Sequence, residues 1–519
     1  MSQPREPKKL SSNIELKSIL MSILLSASLS ALLVSCSKNQ KELPPNIIIV
    51  LADDLGYGDP KIYNPDSKIP TPNIDQLAKS GMRFTDAHTP SSVCSPTRYG
   101  LLTGRYAWRT ELKTSVLWMW DKPLIARNRL TLPKILKQKK YTTACIGKWH
   151  LGWRWPSKNT KGYINDTIAI GDHMLQGRND LWKKIDFSKP LGGGPLEAGF
   201  DYYFGDDVPN FAPYAFFENN KLTMLPDTIK PKDMFGGPGP MVDGWRLDKV
   251  MPEITKRAVN YIKEQSIKDS PFFLYFALTA PHTPIAPTED FKGKSEAGAY
   301  GDFVHEVDWS VGQIIEALRT TGELENTLVI FTSDNGSPQR DGTAMSGPIA
   351  SVKAFGHDPS KPWKGMKADI WEGGHRVPFI ASWQNKIEAN SKSEQLIGLT
   401  DLFATLTSIL DISTEEKVPV DSFDISPILF GKDNPIRNDI IHHSIDGTFA
   451  IRKQHWKLIL GKDSGGFSKN LDLEGIPVTT NGQLYNLMED PTESHNVYDQ
   501  HPEKVKELST LLKTYQDRS

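Results

Sequence analysis

One short segment places residue types that could act on an anion at helical spacing. Cys94-Ser95-Pro96-Thr97-Arg98 runs directly into Tyr99-Gly100-Leu101-Leu102-Thr103-Gly104-Arg105. Pro96 suits the first turn of a helix, where its missing N–H costs nothing. Cys94 then sits at the helix N-terminus, where free N–H groups and the dipole favour negative charge. Arg98, four residues on, lies about one turn along and falls on the same face. Spacing alone leaves two readings of Cys94, a reactive thiol and a buried structural one. Hard oxygen donors recur elsewhere. Asp53-Asp54-Leu55-Gly56-Tyr57-Gly58 pairs two carboxylates with glycines, and Ser333-Asp334-Asn335-Gly336 adds a carboxylate and an amide oxygen. Asp53, Asp54, Asp334 and Asn335 together suit Ca2+ or Mg2+ rather than a thiolate-seeking ion. No histidine is adjacent in sequence to these acids, which counts against zinc.

The elements that must position these groups are strands. Ile47-Ile48-Ile49-Val50-Leu51 is too short for a helix and reads as a strand buried on both faces. Similar apolar runs at 142–146, 272–278 and 327–331 each end in chemistry. The first leads into Gly147-Lys148-Trp149-His150, the second into Ala280-Pro281-His282-Thr283-Pro284 and the third into Asp334-Asn335. Helical patterns at 71–81 and 306–318 alternate with them. Strands alternating with helices predict an α/β fold with a mostly parallel sheet. Ligands of such sheets bind at the carboxyl ends of the strands, so polar residues at four strand ends predict one shared site. Two adjacent carboxylates inside a strand would point to opposite faces, whereas at a strand end beside glycines they can converge.

Composition sets the limits. A net charge of −1 over 519 residues offers no broad field for nucleic acid, so anion selectivity must be local. The three cysteines, Cys36, Cys94 and Cys145, exclude a disulfide framework. Lys8, Lys9 and Lys17 precede an uncharged apolar stretch at 18–34, as in an export signal. Its end, Leu33-Val34-Ser35-Cys36, resembles the lipobox of bacterial lipoproteins. That resemblance implies cleavage before Cys36, a lipid anchor there, and a periplasmic or cell-surface location. The expected division is a signal at 1–35, a tether at 36–45, a catalytic domain at 46–430 and a C-terminal subdomain at 431–519.

Taken together, the motifs resemble the type I sulfatases of the alkaline-phosphatase-like superfamily. Cys-x-Pro-x-Arg followed by Leu-Thr-Gly-Arg, the Asp53-Asp54 strand end, Gly147-Lys148-Trp149-His150, Asp334-Asn335-Gly336 and Trp371-Glu372-Gly373-Gly374 match in order. Thr97 departs from the serine often found there. The resemblance implies a large mixed, mostly parallel sheet sandwiched by helices, with a smaller α+β subdomain carrying an antiparallel sheet. It implies oxidation of Cys94 to Cα-formylglycine by a formylglycine-generating or anaerobic sulfatase-maturing enzyme. One hydroxyl of the aldehyde hydrate would attack sulfur, and loss of a proton from the other would expel sulfate. Metal ligands would be Asp53, Asp54, the modified Cys94, Asp334 and Asn335, around Ca2+ ahead of Mg2+. Arg98 would hold the hydrate and Lys148 would bridge it to the sulfate. His150 would take the proton that triggers elimination, and His282 and Lys367 would serve the sulfate and the leaving group, with Lys364 a competitor for the last place.

Near the C-terminus, 449–452, 456–460 and 484–487 read as strands and 502–515 as an amphipathic helix. His442, His443, Trp118-Met119-Trp120 and Trp153-Arg154-Trp155 fit either a sugar cleft or loop packing. Sulfated polysaccharide or oligosaccharide, algal or glycosaminoglycan, is the expected substrate, by analogy with exported relatives. A phosphatase or phosphodiesterase of the same superfamily and a glycan-binding protein without catalysis are the rivals.

Overall fold

The run at 47–51 is buried on both faces because it becomes the middle of a sheet. The computed structural model describes residues 1–5, 44–172, 174–340, 351–413, 420–432, 434–470 and 482–518. The described residues from 44 onward form one compact unit. Strands β1 (Asn46–Asp53), β2 (Met82–Phe84), β3 (Thr142–Gly147), β4 (Tyr202–Gly205), β5 (Phe272–Pro281), β6 (Thr327–Ser333) and β7 (Phe379–Ser382) belong to a ten-stranded sheet. Their order is β2-β7-β6-β1-β5-β3-β4, with short strands continuing both edges. From β6 through β4 every pairing is parallel, and β7 runs against both β6 and β2. The four strands expected from sequence are the contiguous centre of the sheet, β6-β1-β5-β3.

Strand alternation divides the core in two. Ile47, Ile49 and Leu51 face α2 (Cys94–Thr103) and a later helix, Asp401–Ile409, through Leu101, Leu102, Leu402 and Leu406. Ile48, Val50 and Ala52 face the opposite layer, built by α1 (Pro72–Lys79), α3 (Val250–Gln265) and α4 (Gly298–Thr321) through Leu77, Ile254 and Val307. The helix expected at 306–318 begins earlier, at Gly298, despite two glycines in its first turns. A Cβ on Gly301 would lie 2.5 Å from the Ser295 hydroxyl, so close packing, not chain flexibility, explains that glycine.

After helix α5 (Asp401–Ile409) come β8 (Asp439–His443), β9 (Phe449–Lys453), β10 (Trp456–Ile459) and β11 (Gln483–Asn486), an antiparallel sheet in chain order. The final helix α6 (Pro502–Asp517) covers it, packing Leu508, Leu512 and Tyr515 on Ile441, Ile451, Leu458 and Leu484. The expected export signal and Cys36 lie outside the described residues. Among the described residues no helix is long and apolar enough to cross a membrane.

Glu306 ties α4 to the loop that follows β5. Its carboxylate accepts a hydrogen bond from the Thr288 N–H at 3.0 Å, while the other oxygen is buried without a partner. Burial pushes this carboxyl up to about 8, against a modest opposing pull from the Thr288 N–H. A carboxyl whose folded value lies above its unfolded one binds a proton on folding. Its contribution is therefore whole below pH 4.5 and is lost as pH rises towards 8. Glu306→Gln, which keeps the acceptor and removes the charge, should flatten the fall in stability across that window. Urea unfolding at several pH values measures it, and an unchanged slope would contradict the assignment.

Candidate active site

Asp53 closes β1, and Asp54 follows in a left-handed turn at φ 69°. That turn is held from β6. The Asp54 N–H donates to the Asp334 carboxylate at 3.2 Å, and the Leu55 N–H donates to the Ser333 hydroxyl at 3.0 Å. On the other side β3 ends in Gly147 at φ 106°, where a Cβ would lie 1.8 Å from the Ala277 carbonyl oxygen. Only glycine permits that approach. It lets the Lys148 ammonium reach both oxygens of Asp53, at 2.9 and 2.7 Å.

Cys94 begins α2 as expected, with extended Val93 before it. Its side chain is 1% exposed and its Sγ lies 3.7 Å from Asp53 Oδ1. Burial pushes the thiol up to about 12, so it is protonated at neutral pH and a weak nucleophile as it stands. Thr97 directs its hydroxyl to the Ser91 carbonyl at 3.0 Å, a bond that serine makes equally well. This accounts for the tolerance of threonine at that position. Arg98 donates two hydrogen bonds to Asp334 Oδ2, at 3.0 and 2.7 Å, and one to the Lys148 carbonyl. The guanidinium thus fixes the relative placement of α2, β6 and the end of β3.

His150, at φ 53°, hydrogen-bonds through Nε2 to the Leu117 carbonyl at 2.9 Å. A carbonyl only accepts, so Nε2 carries the proton and the lone pair is on Nδ1, which is buried without a partner. Burial, reinforced by Lys148, holds this imidazole well below its ordinary value and therefore neutral. His282 donates through Nδ1 to the Thr283 carbonyl, which leaves Nε2 facing Asp54 Oδ2 at 3.7 Å. The Lys367 ammonium lies 2.7 Å from Asp54 Oδ2. Burial lowers the Lys367 value, but Asp54, Cys94 and Asp53 together more than offset it, and the ammonium is held above its ordinary range. Lys364 turns away, to the Glu493 carbonyl and the Trp371 ring, so of the two lysines only Lys367 enters the cluster.

Ligand atoms of Asp53, Asp54, Cys94 and His282 all lie within 4.8 Å of one another. Asn335 donates through Nδ2 to Asp54 Oδ1, and its Oδ1 is buried without a hydrogen-bond partner. A carbonyl oxygen left in that state beside paired carboxylates fits a hard divalent cation. Asp334, whose Oδ2 takes both Arg98 hydrogen bonds, lies beside this group, and its Oδ1 accepts the Asp54 N–H. The lack of a histidine next to these acids in sequence does not carry over to space. The loop after β5 brings His282 to them from more than two hundred residues away, a proximity that adjacency in sequence does not reveal.

Cys94, His150, His282 and Lys367 open into a cavity of about 520 Å³, walled by Trp118 and Phe211, whose rings stack at 5.5 Å. A second cavity, of about 610 Å³, lies at the amino-terminal end of β3 against α3 and contains none of these groups. The remaining tryptophans of the two Trp-rich stretches do not line the site. Trp120, Trp153 and Trp155 are core residues, as are His442 and His443.

Two features escaped the sequence reading. Asp206 and Asp207 follow β4 beside Lys148 and His150, and the Asp207 carboxylate accepts the His150 N–H at 3.1 Å. Their signal was present, an acid pair after a strand like Asp53-Asp54, but β4 is too short and too rich in tyrosine to stand out. The other is a buried ionic network joining the Trp371-Glu372-Gly373-Gly374 segment to the C-terminal sheet. Lys457 of β10 lies 3.0 Å from Glu372 and 2.8 Å from Glu493. Despite its burial, Glu372 is held well below its ordinary value by Lys457 and His88.

Comparison with known proteins agrees with this geometry. The family model described as Sulfatase matches residues 45–412. The chain is 32% identical to N-acetylgalactosamine-6-O-sulfatase of Bacteroides thetaiotaomicron, across 94% of this chain and 97% of that one. It is 31% identical to human steryl-sulfatase, across 77% of this chain and 72% of that one. A solved Bacteroides thetaiotaomicron structure, described under the metabolism of multiple glycosaminoglycans, superposes with a TM-score of 0.77 at 30% identity, covering 92% of this chain and all of that one.

Removing one partner of a buried ionic group leaves the others uncompensated. Lys457→Met should therefore cost about 3–5 kcal/mol of stability, measured by chemical denaturation. A loss below about 1 kcal/mol would show that Glu372 and Glu493 share their charge with other groups.

Proposed function

We propose, from the premise that this chain belongs to the sulfatase family, that it removes sulfate from a sulfated carbohydrate by way of a formylglycine made from Cys94. The observation that carries this reading is the meeting of Cys94, His150, His282 and Lys367 at one cavity, with Lys148 and Lys367 paired to the buried carboxylates Asp53 and Asp54 beside Cys94. Conversion of Cys94 would supply a geminal diol, whose second hydroxyl gives a route to sulfate release that a protonated, buried thiol lacks. A bound divalent cation, for which the oxygen-rich set favours Ca2+ over Mg2+, would supply Lewis-acid stabilisation of the ester oxygens.

The chain's own residues do the rest. Asp53, Asp54, Asp334 and Asn335 would hold the cation, and the Cys94-derived group would complete their set. Arg98 locks Asp334 and the start of α2, while Lys148 and Lys367 bring two ammonium charges to the sulfate oxygens, where charge shifts in the transition state. His150 offers the Nδ1 lone pair towards the cavity and accepts the proton whose loss releases sulfate. His282, whose Nε2 faces Asp54 at the cavity, serves the leaving alcohol.

Trp118 and Phe211 offer an aromatic wall on which a sugar ring can pack. N-Acetylgalactosamine 6-sulfate is the first substrate to test, because the relative that matches nearly the whole chain is named for it. Residues 46–430 form the catalytic domain of this reading and 431–519 its subdomain. The leader at 1–35 exports the chain and Cys36 anchors it to the bacterial envelope, facing the periplasm or the outside. The partner for maturation is a formylglycine-generating or anaerobic sulfatase-maturing enzyme.

Co-expression with such an enzyme, a mass check of the Cys94 peptide and a sulfate-release assay test the reading together. Cys94→Ala should lower release by about a thousandfold or more. Asp54→Asn should lose both the bound cation, measured by metal analysis, and the activity. Near wild-type release by Cys94→Ala, or preferential cleavage of phosphate esters, would overturn it.

A further inference from the structure

The cavity at Cys94 divides by charge. Cys94, His150, His282 and Lys367 form its reacting part, and most of the remaining lining is uncharged, as at Val93, Val116, Val208 and Phe211. One residue breaks that pattern. Asp446, in the turn between β8 and β9, lines the same cavity and is the sole formally charged group among the described lining residues apart from the reacting ones.

The turn that carries Asp446 is fixed by backbone bonds to both sides of the cavity. The Ile445 N–H donates to the Ala368 carbonyl at 3.1 Å, next to Lys367. The Ile445 carbonyl accepts the Ser115 N–H at 2.6 Å, and the Ser115 hydroxyl accepts the Trp118 indole N–H at 3.1 Å. Gly447 holds φ 84°, and a Cβ there would lie 2.7 Å from Thr114 Cγ2, so the turn is packed closely on the segment that leads to Trp118. The place of Asp446 relative to Lys367 and to the aromatic wall is thus built in. Its Oδ2 pairs with Lys469 at 2.7 Å, and both side chains are partly exposed. Lys469 is not among the residues that line the cavity. An exposed pair of this kind contributes little to stability, but it orients the carboxylate and leaves Oδ1 to accept a hydrogen bond.

A sulfate ester brings one anion to Lys367. A second anionic group on the same sugar ring would enter the cavity with it and lose water against apolar side chains. It would meet no further cation among the described lining residues, and it would face a carboxylate. A hydroxyl in that place would instead donate to Oδ1. We propose that Asp446 is a specificity residue that selects sugars carrying one sulfate and rejects those with a second anionic group on the same ring. This rests on the sulfated-carbohydrate reading of the site. Selection works by repulsion of the wrong substrate as much as by the bond to the right one.

Wild type, Asp446→Asn and Asp446→Lys, each co-expressed with the maturing enzyme and checked for conversion of the Cys94 peptide, test this. Release of the 6-sulfate is measured from N-acetylgalactosamine 6-sulfate and from its 4,6-disulfate, and the two kcat/KM values are compared within each protein. Incomplete folding or conversion lowers both values alike and cancels in their ratio. Wild type should favour the monosulfate by about tenfold or more. Asp446→Asn should cut that preference to about threefold or less, and Asp446→Lys should reverse it. A wild-type ratio near one, or a ratio that neither substitution changes, would overturn the proposal. No release from either ester by converted wild type would remove the sulfated-carbohydrate reading and this inference with it, a failure that shows before any variant is compared.

Discussion

The structure depends on the balance of charge at the buried carboxyl ends of its parallel strands. Asp53, Asp54 and Asp334 are at most 1% exposed, and buried carboxylates are costly unless they are paired. Arg98, Lys148 and Lys367 answer them, and each cation arrives on a different piece of chain, α2, the end of β3 and the loop before Trp371. The polar cluster therefore acts as a fastener. Every element that brings a charge is held by those that bring the opposite one, so site geometry and sheet geometry are fixed by the same contacts.

A second buried network extends this logic to the C-terminal sheet. Glu372, one turn from the loop that delivers Lys367, is neutralised by Lys457 and approached by Arg376, while Asp86 pairs with both Arg376 and Arg452. β9 and β10 thus supply Arg452 and Lys457 to Glu372, which precedes them by some eighty residues. The antiparallel sheet adds apolar core of its own, but its charges are what reach the frame of the site. The His375 and His442 rings stack at 3.7 Å in the middle of this network, so His442, which in sequence is a candidate for a sugar cleft, is packing material.

Much of this was legible in the sequence because the central strands are buried on both faces. Unbroken β-branched runs such as Ile47-Ile48-Ile49-Val50-Leu51 have few other uses, and each pointed at its own polar terminus. The edge strands were harder. β2 has three residues and β4 four, too short for a period to emerge, and with β4 went the acid pair that follows it. His282 was legible as a candidate, but its approach to the carboxylates was not, because adjacency in space is set by strand order. Trp120, Trp153 and Trp155 could not be told from a binding surface by type alone, since aromatic rings serve core and cleft equally.

The position of β1 has a consequence for the way the chain acquires its structure. Ile47 pairs with Phe273 on one side and with Leu328 on the other, so neither neighbour of the central strand exists until most of the chain has been made. Contacts that span so much sequence slow folding, because loop closure must precede any gain from pairing. Through that interval the apolar strand at 47–51 is exposed to aggregation, and the newly made chain needs shielding. The same interval leaves Cys94, 1% exposed once the sheet has closed, within reach of another enzyme. Slow assembly thus sets a period of chemical access that ends when β5 and β6 close around β1.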